Sequence, residues 1–541
     1  MKDKKTSPAE VKEPSGILRH KWYLYLTEFF SGVSVMAVEL GASRLLAPYF
    51  SSSQIVWTII IGTIMIAMAL GNIYGGRSAD KNPDPDRLYA RILFAAVWTA
   101  AIPFAGKFVI LGISALLVVT VNTNFLIWAA FITCMVVFVF PLFLLGTVTP
   151  SLVKYTVSSL NDSGKTVGTL GAFNTIGSII GTFVPTFISI PAVGTAATFL
   201  IFSGILLVIG IMYFAFAKRG AARAVTASVL FIVCCFASPA LGFAFWDKEL
   251  IYEGESVYNY LQVRENDRYT ALSTNVLFGV QSIAMKSGGL TGMYYDYAMA
   301  APLMAECPGD STEILILGMG TGTYARQCLE YLEGDVNVEG VEIDDKITGL
   351  AREYFGLPES VRVTTYDGRA FLNVSDKKYD VIMVDAYQDI TIPFQMSSRE
   401  FFTLVREHLN DGGVMVVNMN MRSQDEDGIN SWLSDTIAEQ FPFVYTVDCI
   451  NSSNRELFAF SESDALDRFR ERSISTEGEL HAMMSRVNDG LVKYTPGDRI
   501  LTDDKAPVEL LGMEVIDDLI QNELVYYKKV FKEKGIRGLL E

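Results

Sequence analysis

Four carboxylates and one glycine-rich turn are the residues of this chain whose types and spacing best suit chemistry. In "YDVIMVDAYQDITIP" (379–393) an apolar run ends on Asp385, and Asp389 follows four positions later. A carboxylate at the rim of a buried strand can take a proton from an amine or hold a cationic group. In "EILILGMGTGTYARQCLEYL" (313–332) an apolar strand runs into Gly318, Gly320, Thr321 and Gly322, then into a helix. Glycines there let the backbone approach a ligand, and the helix N-terminus offers free N–H groups. Glu342 closes the next strand, roughly twenty residues on, where an acid can bond both hydroxyls of a ribose. Asp367, before Gly368 in "TYDGRAF", could accept from an adenine amino group; a turn-forming aspartate before glycine has the same pattern. Together they suit a nucleoside, with NAD, FAD and S-adenosyl ligands all open.

The elements that would position these residues follow from hydrophobic runs. "EILIL", "VNVEGVEID", "VRVTTYD", "KYDVIMVDA" and "GGVMVVNM" read as buried strands alternating with helices. That pattern predicts a doubly wound, largely parallel α/β sheet of Rossmann type, whose ligands bind beyond the carboxyl ends of the strands. Residues 250–290 alternate in shorter pieces and predict a small β subdomain ahead of it.

The first half differs. The chain has 541 residues, half of them hydrophobic, and a mean hydropathy of +0.30. Residues 1–246 carry 17 Lys and Arg against 9 Asp and Glu, a net +8; the remainder carries 27 against 51, a net −24, and the whole −16. A basic apolar half and an acidic half suggest two modules in two solvents. The acidic half argues against nucleic acid, which needs a basic footprint, and suits cationic small substrates such as polyamines. None of the six cysteines has zinc or redox spacing, and with three histidines the expectation is no metal.

After a polar N-terminal tail (1–22), without the compact core of a removable signal peptide, apolar runs long enough to cross a bilayer predict a multi-pass helical membrane domain over 23–246. About seven spans are expected: 23–43, 54–76, 89–121, 124–148, 167–190, 195–216 and 224–245. Basic residues at the N-terminus, in 75–91, at Lys154 and Lys165, and at Lys218, Arg219 and Arg223 would share the cytoplasmic side. That alternation requires 89–121 to cross once, and it carries the second half outside; cofactor supply favours the cytoplasm, the side expected here. Gly177 and Gly181, four apart, suit close helix packing. Glu28 and Glu39 in the first span are candidates for an ion pair or for a ligand or proton site.

The second half resembles spermidine synthases, aminopropyltransferases with a methyltransferase-like Rossmann fold. The likeness rests on "ESVYNYLQV" (255–263), "YYDYAMAAPL" (294–303), "ILILGMGTGT" (314–323), "VEID" (341–344), "DGRAFL" (367–372) and "VDAYQD" (384–389). "ELGASRLLAPYF", "GNIYGGRSAD", "LLGTVTPSLVKY" and "LTDDKAPVELL" resemble bacterial membrane-fused members, in which a transporter-like helical domain precedes the synthase-like domain. The resemblance implies that Glu342 binds the ribose, Asp367 and Gly368 the adenine side, and the glycine turn the sulfonium region. It makes Asp385 the base, and Tyr295, Asp296, Tyr387 and Asp389 substrate-side residues. Thr321 stands where the family carries an acid that anchors the aminopropyl ammonium, so ordinary S-adenosylmethionine is less clearly rejected.

The expected domains are therefore 1–22, 23–246, a β subdomain at 247–305, a Rossmann-like catalytic domain at 306–515 and a helical tail at 516–541. The expected activity is aminopropyl transfer from decarboxylated S-adenosylmethionine, or a related reaction of S-adenosylmethionine, at the bacterial cell membrane. Expected partners are a small amine or other small nucleophile, the lipid bilayer and a second copy in a homodimer. Methyl transfer or S-adenosylmethionine cleavage on the same fold is one alternative; a transporter or sensor with a nucleoside-binding regulatory domain is another.

Overall fold

The computed structural model describes residues 16–513 apart from 122–123, 157–162, 239–241, 277–278, 308–310, 388–391, 421, 423–426 and 451; beyond 513 it describes 515, 525, 528–530 and 532–533. The side chains of 16, 19 and 119 are also outside the description. The chain divides into two compact units, the second comprising Ala244–Glu541 with the short segments Ala47–Gln54 and Leu117–Leu126.

The first unit is helical: α1 (Lys21–Phe50), α2 (Gln54–Lys81), α3 (Pro85–Thr120), α4 (Phe125–Val137), α5 (Val139–Gly146), α6 (Val148–Thr156), α7 (Ser163–Val184), α8 (Ile190–Ala217) and α9 (Ala221–Ala237). Five stretches are long and apolar enough to cross a membrane by length and composition: Lys21–Phe50, Gln54–Lys81, Pro85–Val118, Val139–Thr156 and Ser163–Ala217. α3 starts on a proline, which suits a first helical position because its missing N–H has no partner there anyway. It continues unbroken through 89–121 apart from its last residue.

Contacts along α1 give the directions of its neighbours. Asn174 bonds Glu28, while Gly177 and Gly181 lie against the carbonyls of Phe29 and Val33, so α7 runs parallel to α1. The Tyr23 hydroxyl donates to Ile209 O and that of Ser34 to Phe202 O, so α8 runs antiparallel. The reversal falls at Gly194, whose φ of +81° is open to glycine at little cost. The 163–217 stretch is therefore two antiparallel rods. Lys154 pairs with Asp80 at 2.9 Å, and Arg219 with Asp86 at 2.9 Å, gathering the basic loops on one face.

The second unit opens with an antiparallel sheet, β1 (Leu250–Glu255), β2 (Tyr260–Glu265), β3 (Tyr269–Ser273) and β4 (Ser282–Met285), in that spatial order. Two short helices follow, α10 (Tyr294–Ala298) and α11 (Ala300–Met304). The expected β subdomain includes them, yet their buried Tyr, Ala and Met side chains pack into the Rossmann core. Next come β5 (Ser311–Leu317), α12 (Thr323–Tyr331), β6 (Asp335–Glu342), α13 (Asp345–Tyr354), β7 (Arg362–Thr365), α14 (Gly368–Val374), β8 (Tyr379–Val384), α15 (Arg399–Glu407), β9 (Leu409–Met419) and α16 (Ile429–Gln440). The unit closes with β10 (Phe443–Asp448), β11 (Arg455–Phe460), α17 (Ala465–Ile474), α18 (Gly478–Gly490) and β12 (Val492–Lys493).

Their sheet has the order β12-β10-β11-β9-β8-β5-β6-β7. β9, β8, β5, β6 and β7 are parallel, whereas β11, β10 and β12 are antiparallel additions. All six residues of β8 are buried, as expected of a strand covered on both faces. After β5 the chain builds outward through β6 and β7, then returns to place β8 on the other side of β5. That switch opens a crevice above the carboxyl ends of β5 and β8.

A Cβ at Gly177 would collide with Phe29 O, and one at Gly181 with Val33 O. Gly177→Val should destabilise the detergent-purified protein by about 1–3 kcal/mol and lower its unfolding temperature. Gly171→Ala, with nothing within 4 Å of the added carbon, should leave it unchanged.

Candidate active site

The crevice holds a cavity of about 310 Å³. Its lining brings together Gly318, Gly320, Glu342, Asp367, Gly368, Asp385 and Tyr387, residues spread over seventy positions that the sheet switch collects at one rim. Ser282 and Gln281 reach it from the edge of the β subdomain.

The glycine turn is shaped by its neighbours. Gly318, Gly320 and Gly322 all have positive φ. At Gly318 an added Cβ would lie 2.6 Å from both Ala386 Cα and Asp385 O, so this glycine makes room for the exit of β8. Gly320 N donates to Glu342 Oε2 at 2.9 Å, and Asp344 N donates to Oε1 at 3.1 Å. Burial pushes the Glu342 carboxyl up to about 7, against the pull of those two amides. A carboxylate accepting two N–H bonds and still lining the cavity can bond a ligand hydroxyl pair. Asp367 caps α14 through Ala370 N at 2.8 Å and also faces the cavity, so the cap and the binding role are compatible.

Asp385 is the most constrained group. The Tyr294 hydroxyl donates to Oδ2 at 2.6 Å and the Asn418 amide donates to Oδ1 at 2.8 Å. Burial raises its carboxyl to about 7; the two donors lower it, and the charge of Glu342 raises it. A carboxylate near neutrality, fixed from two sides at a cavity wall, is suited to accept a proton.

Most of the other expected residues sit elsewhere. The hydroxyl of Tyr295 donates to Gln281 O at 2.8 Å instead of facing Asp385; its neighbour Tyr294 makes that contact. Asp296 is fully buried and occupied by Thr291 N, Thr291 Oγ1 and the Gln327 amide, so it braces the 291–296 turn outside the cavity lining. Thr321 is wholly buried, its N–H donating to Ser282 Oγ at 3.2 Å, and it does not line the cavity. Tyr387 lines it, while its hydroxyl donates to Asn418 O and accepts from Asn420 N. Asp389 lies outside the described residues. Sequence reading missed Tyr294 and Asn418. The polar Asn418 interrupting the apolar "VMVVNM" at the same rim was the available cue for one of them.

In the helical unit, Glu28 is fully buried and accepts from Thr149 Oγ1 at 2.6 Å and Asn174 Nδ2 at 3.0 Å. Glu39 is half-buried.

The Spermine/spermidine synthase domain matches residues 293–451, the stretch that carries this site. A Bifidobacterium longum protein described as a probable polyamine aminopropyl transferase is 53% identical over 348 residues, 61% of this chain and 77% of that one. The polyamine aminopropyltransferase of Vibrio vulnificus is 28% identical over 223 residues, 39% of this chain and 72% of that one. A solved spermidine synthase in complex with the transition-state analogue AdoDATO aligns with a TM-score of 0.37 and 18% identity, over 51% of this chain and 89% of that one. By its likeness to the Bifidobacterium longum protein over most of that protein's length, this chain belongs to the polyamine aminopropyltransferase family.

Proposed function

We propose that this chain transfers an aminopropyl group from decarboxylated S-adenosylmethionine, its donor substrate, to a small amine. The observation that carries the reading is the placement of Asp385, at the end of β8, beside the Glu342–Asp367 cradle in one cavity. Glu342 would accept from the ribose hydroxyls and Asp367 from the adenine edge. The donor supplies an electrophilic carbon bonded to a sulfonium. The amine nitrogen bonds to that carbon, the C–S bond breaks with its electron pair going to sulfur, and Asp385 holds the proton lost from nitrogen. Orientation by the two flanking donors accounts for much of the rate such a site can supply.

The sign of the cavity supports the decarboxylated donor. Among the described residues lining it are three carboxylates, Glu342, Asp367 and Asp385, and no Lys, Arg or His. A ligand carboxylate would meet repulsion there without a fixed cation. Since Thr321 does not line the cavity, the missing turn acid leaves this field intact.

We also propose that the helical unit anchors the enzyme in the cell membrane. With α3 continuous, and with the shorter α9 also crossing, the passes would be α1, α2, α3, α4–α6, α7, α8 and α9. The basic loops then share one face and the chain leaves the unit on the other. Excess Lys and Arg marks the cytoplasmic face. The charge pattern therefore supports a catalytic unit outside the cytoplasm, in opposition to the argument from cofactor supply, and the odd pass count weighs for it.

Three measurements test these readings. Purified protein given decarboxylated S-adenosylmethionine and a polyamine panel should release methylthioadenosine only when both are present. Asp385→Asn should cut that release at least about 100-fold while methylthioadenosine still binds. S-adenosylhomocysteine from ordinary S-adenosylmethionine would instead favour methyl transfer.

Because the ionised base is the active form, kcat/KM should rise with pH through about 7 and level off above it. Tyr294→Phe removes a donor that lowers the carboxyl, so this limb should move to higher pH; an unmoved limb would remove Asp385 as its source.

In intact cells, an impermeant maleimide should label Asp489→Cys but reach Lys81→Cys only after lysis. The reverse pattern would put the catalytic unit in the cytoplasm.

A further inference from the structure

The segment "LTDDKAPVELL" (501–511) has no place in the reaction above, and it lies beyond the matched domain, which ends at residue 451. One of its carboxylates nonetheless reaches the cavity wall through a short chain of contacts. Asp503 and Arg369 form a two-point pair: Arg369 Nη1 donates to Asp503 Oδ1 at 2.6 Å, and Nη2 donates to Oδ2 at 2.7 Å. Such a fork fixes direction as well as charge. The same Nη1 donates to the carbonyl of Gln395 at 3.0 Å. Gln395 lines the cavity, together with Pro393 and Met396.

Arg369 stands in the first turn of α14, next to Asp367 and Gly368, which line the same cavity. A Cβ at Gly368 would lie 3.1 Å from Met396 Cε, so the 393–396 segment packs on that glycine. The guanidinium thus ties two parts of one wall together, and Asp503 sets where the guanidinium lies. Asp503 is itself held. Ser398 Oγ donates to its Oδ1 at 2.6 Å, and its own N–H donates to Glu400 Oε2 at 3.1 Å. Thr502 and Lys505 exchange two backbone bonds around it. Leu501 N donates to Thr436 Oγ1 at 2.9 Å, and Leu501 O accepts from Arg399 N at 2.9 Å, which fastens the turn to α15 and α16. Without its carboxylate, the long arginine side chain regains rotamer freedom and the Gln395 carbonyl loses a fixed donor.

We propose that Asp503 is a positioning residue for the donor nucleoside: by fixing Arg369, it holds the 393–396 wall against Asp367 and Gly368. This inference rests on the nucleoside reading of the cavity. It adds a residue from outside the matched domain to the nucleoside end of the site.

Full-length protein in detergent would be titrated with methylthioadenosine by calorimetry, with the KM of donor and of acceptor measured alongside. Asp503→Asn should raise the methylthioadenosine Kd and the donor KM about tenfold, the scale of one hydrogen bond to a charged group, and change the acceptor KM by less than about twofold. Arg369→Lys, which keeps the charge and loses the fork, should do the same. The double variant should match the single ones, because both act through one contact. Arg399→Gln breaks the neighbouring Arg399–Glu439 pair, neither member of which lines the cavity, and should leave the Kd unchanged. The role of Asp503 is overturned by a Kd within about twofold of wild type in either folded single variant, by an equal rise in Arg399→Gln, or by losses that add in the double variant; each of these leaves the nucleoside reading standing. A wild type that does not bind methylthioadenosine overturns that reading, and the role of Asp503 with it.

Discussion

The catalytic unit depends on keeping one carboxylate at the mouth of a strand that is otherwise sealed from water. β8 has its whole length packed inside the sheet; Asp380 within it accepts from Glu313 N and the Asn410 amide, and Asp385 is the carboxylate just past its end that lines the cavity. The charge is tolerable only because a phenol and an amide reach it from two other elements. α10 exists at that spot to bring Tyr294, and β9 must run beside β8 to bring Asn418. The parallel register of β8 and β9 is thus a condition of the chemistry as well as of the fold.

The same constraint explains what the sequence could reveal. Gly318, Gly320, Glu342, Asp367 and Asp385 stand at the ends of apolar runs, where a single polar residue is conspicuous and the topology gathers such ends together. The groups that hold Asp385 are different. Tyr294 is 91 positions away and Asn418 is 33, and nothing local marks either as its partner. Tyr294 and Tyr295 are adjacent on a five-residue helix and point to different places; spacing cannot order them. Asp296 has an acid's charge, but a turn consumes its oxygens. In the helical unit the apolar runs marked most of the rods, and the single-helix character of 89–121 needed the structure.

Electrostatics link the two ends of the cavity. Glu342 and Asp385 are both raised towards neutrality by burial, and the charge of Glu342 adds to the cost of ionising Asp385. Such a pair holds less than its full charge when empty and gains charge as cations arrive. The sulfonium donor and ammonium-bearing acceptor proposed above are both cations. The first to bind makes the cavity more willing to ionise, so the order in which the reactants enter has electrostatic consequences even where they do not touch.

Gly318 carries a consequence for how this site can vary among descendants of the chain. The open space beside its backbone is taken by Ala386 and the carbonyl of Asp385, on the opposite strand exit. Any side chain there would push the Asp385 exit aside before it met a ligand. A lineage that lost this glycine would displace Asp385 while Glu342 and Asp367 still looked intact. Position 318 is therefore fixed by two functions at once, and drift that either one alone could absorb is closed to it.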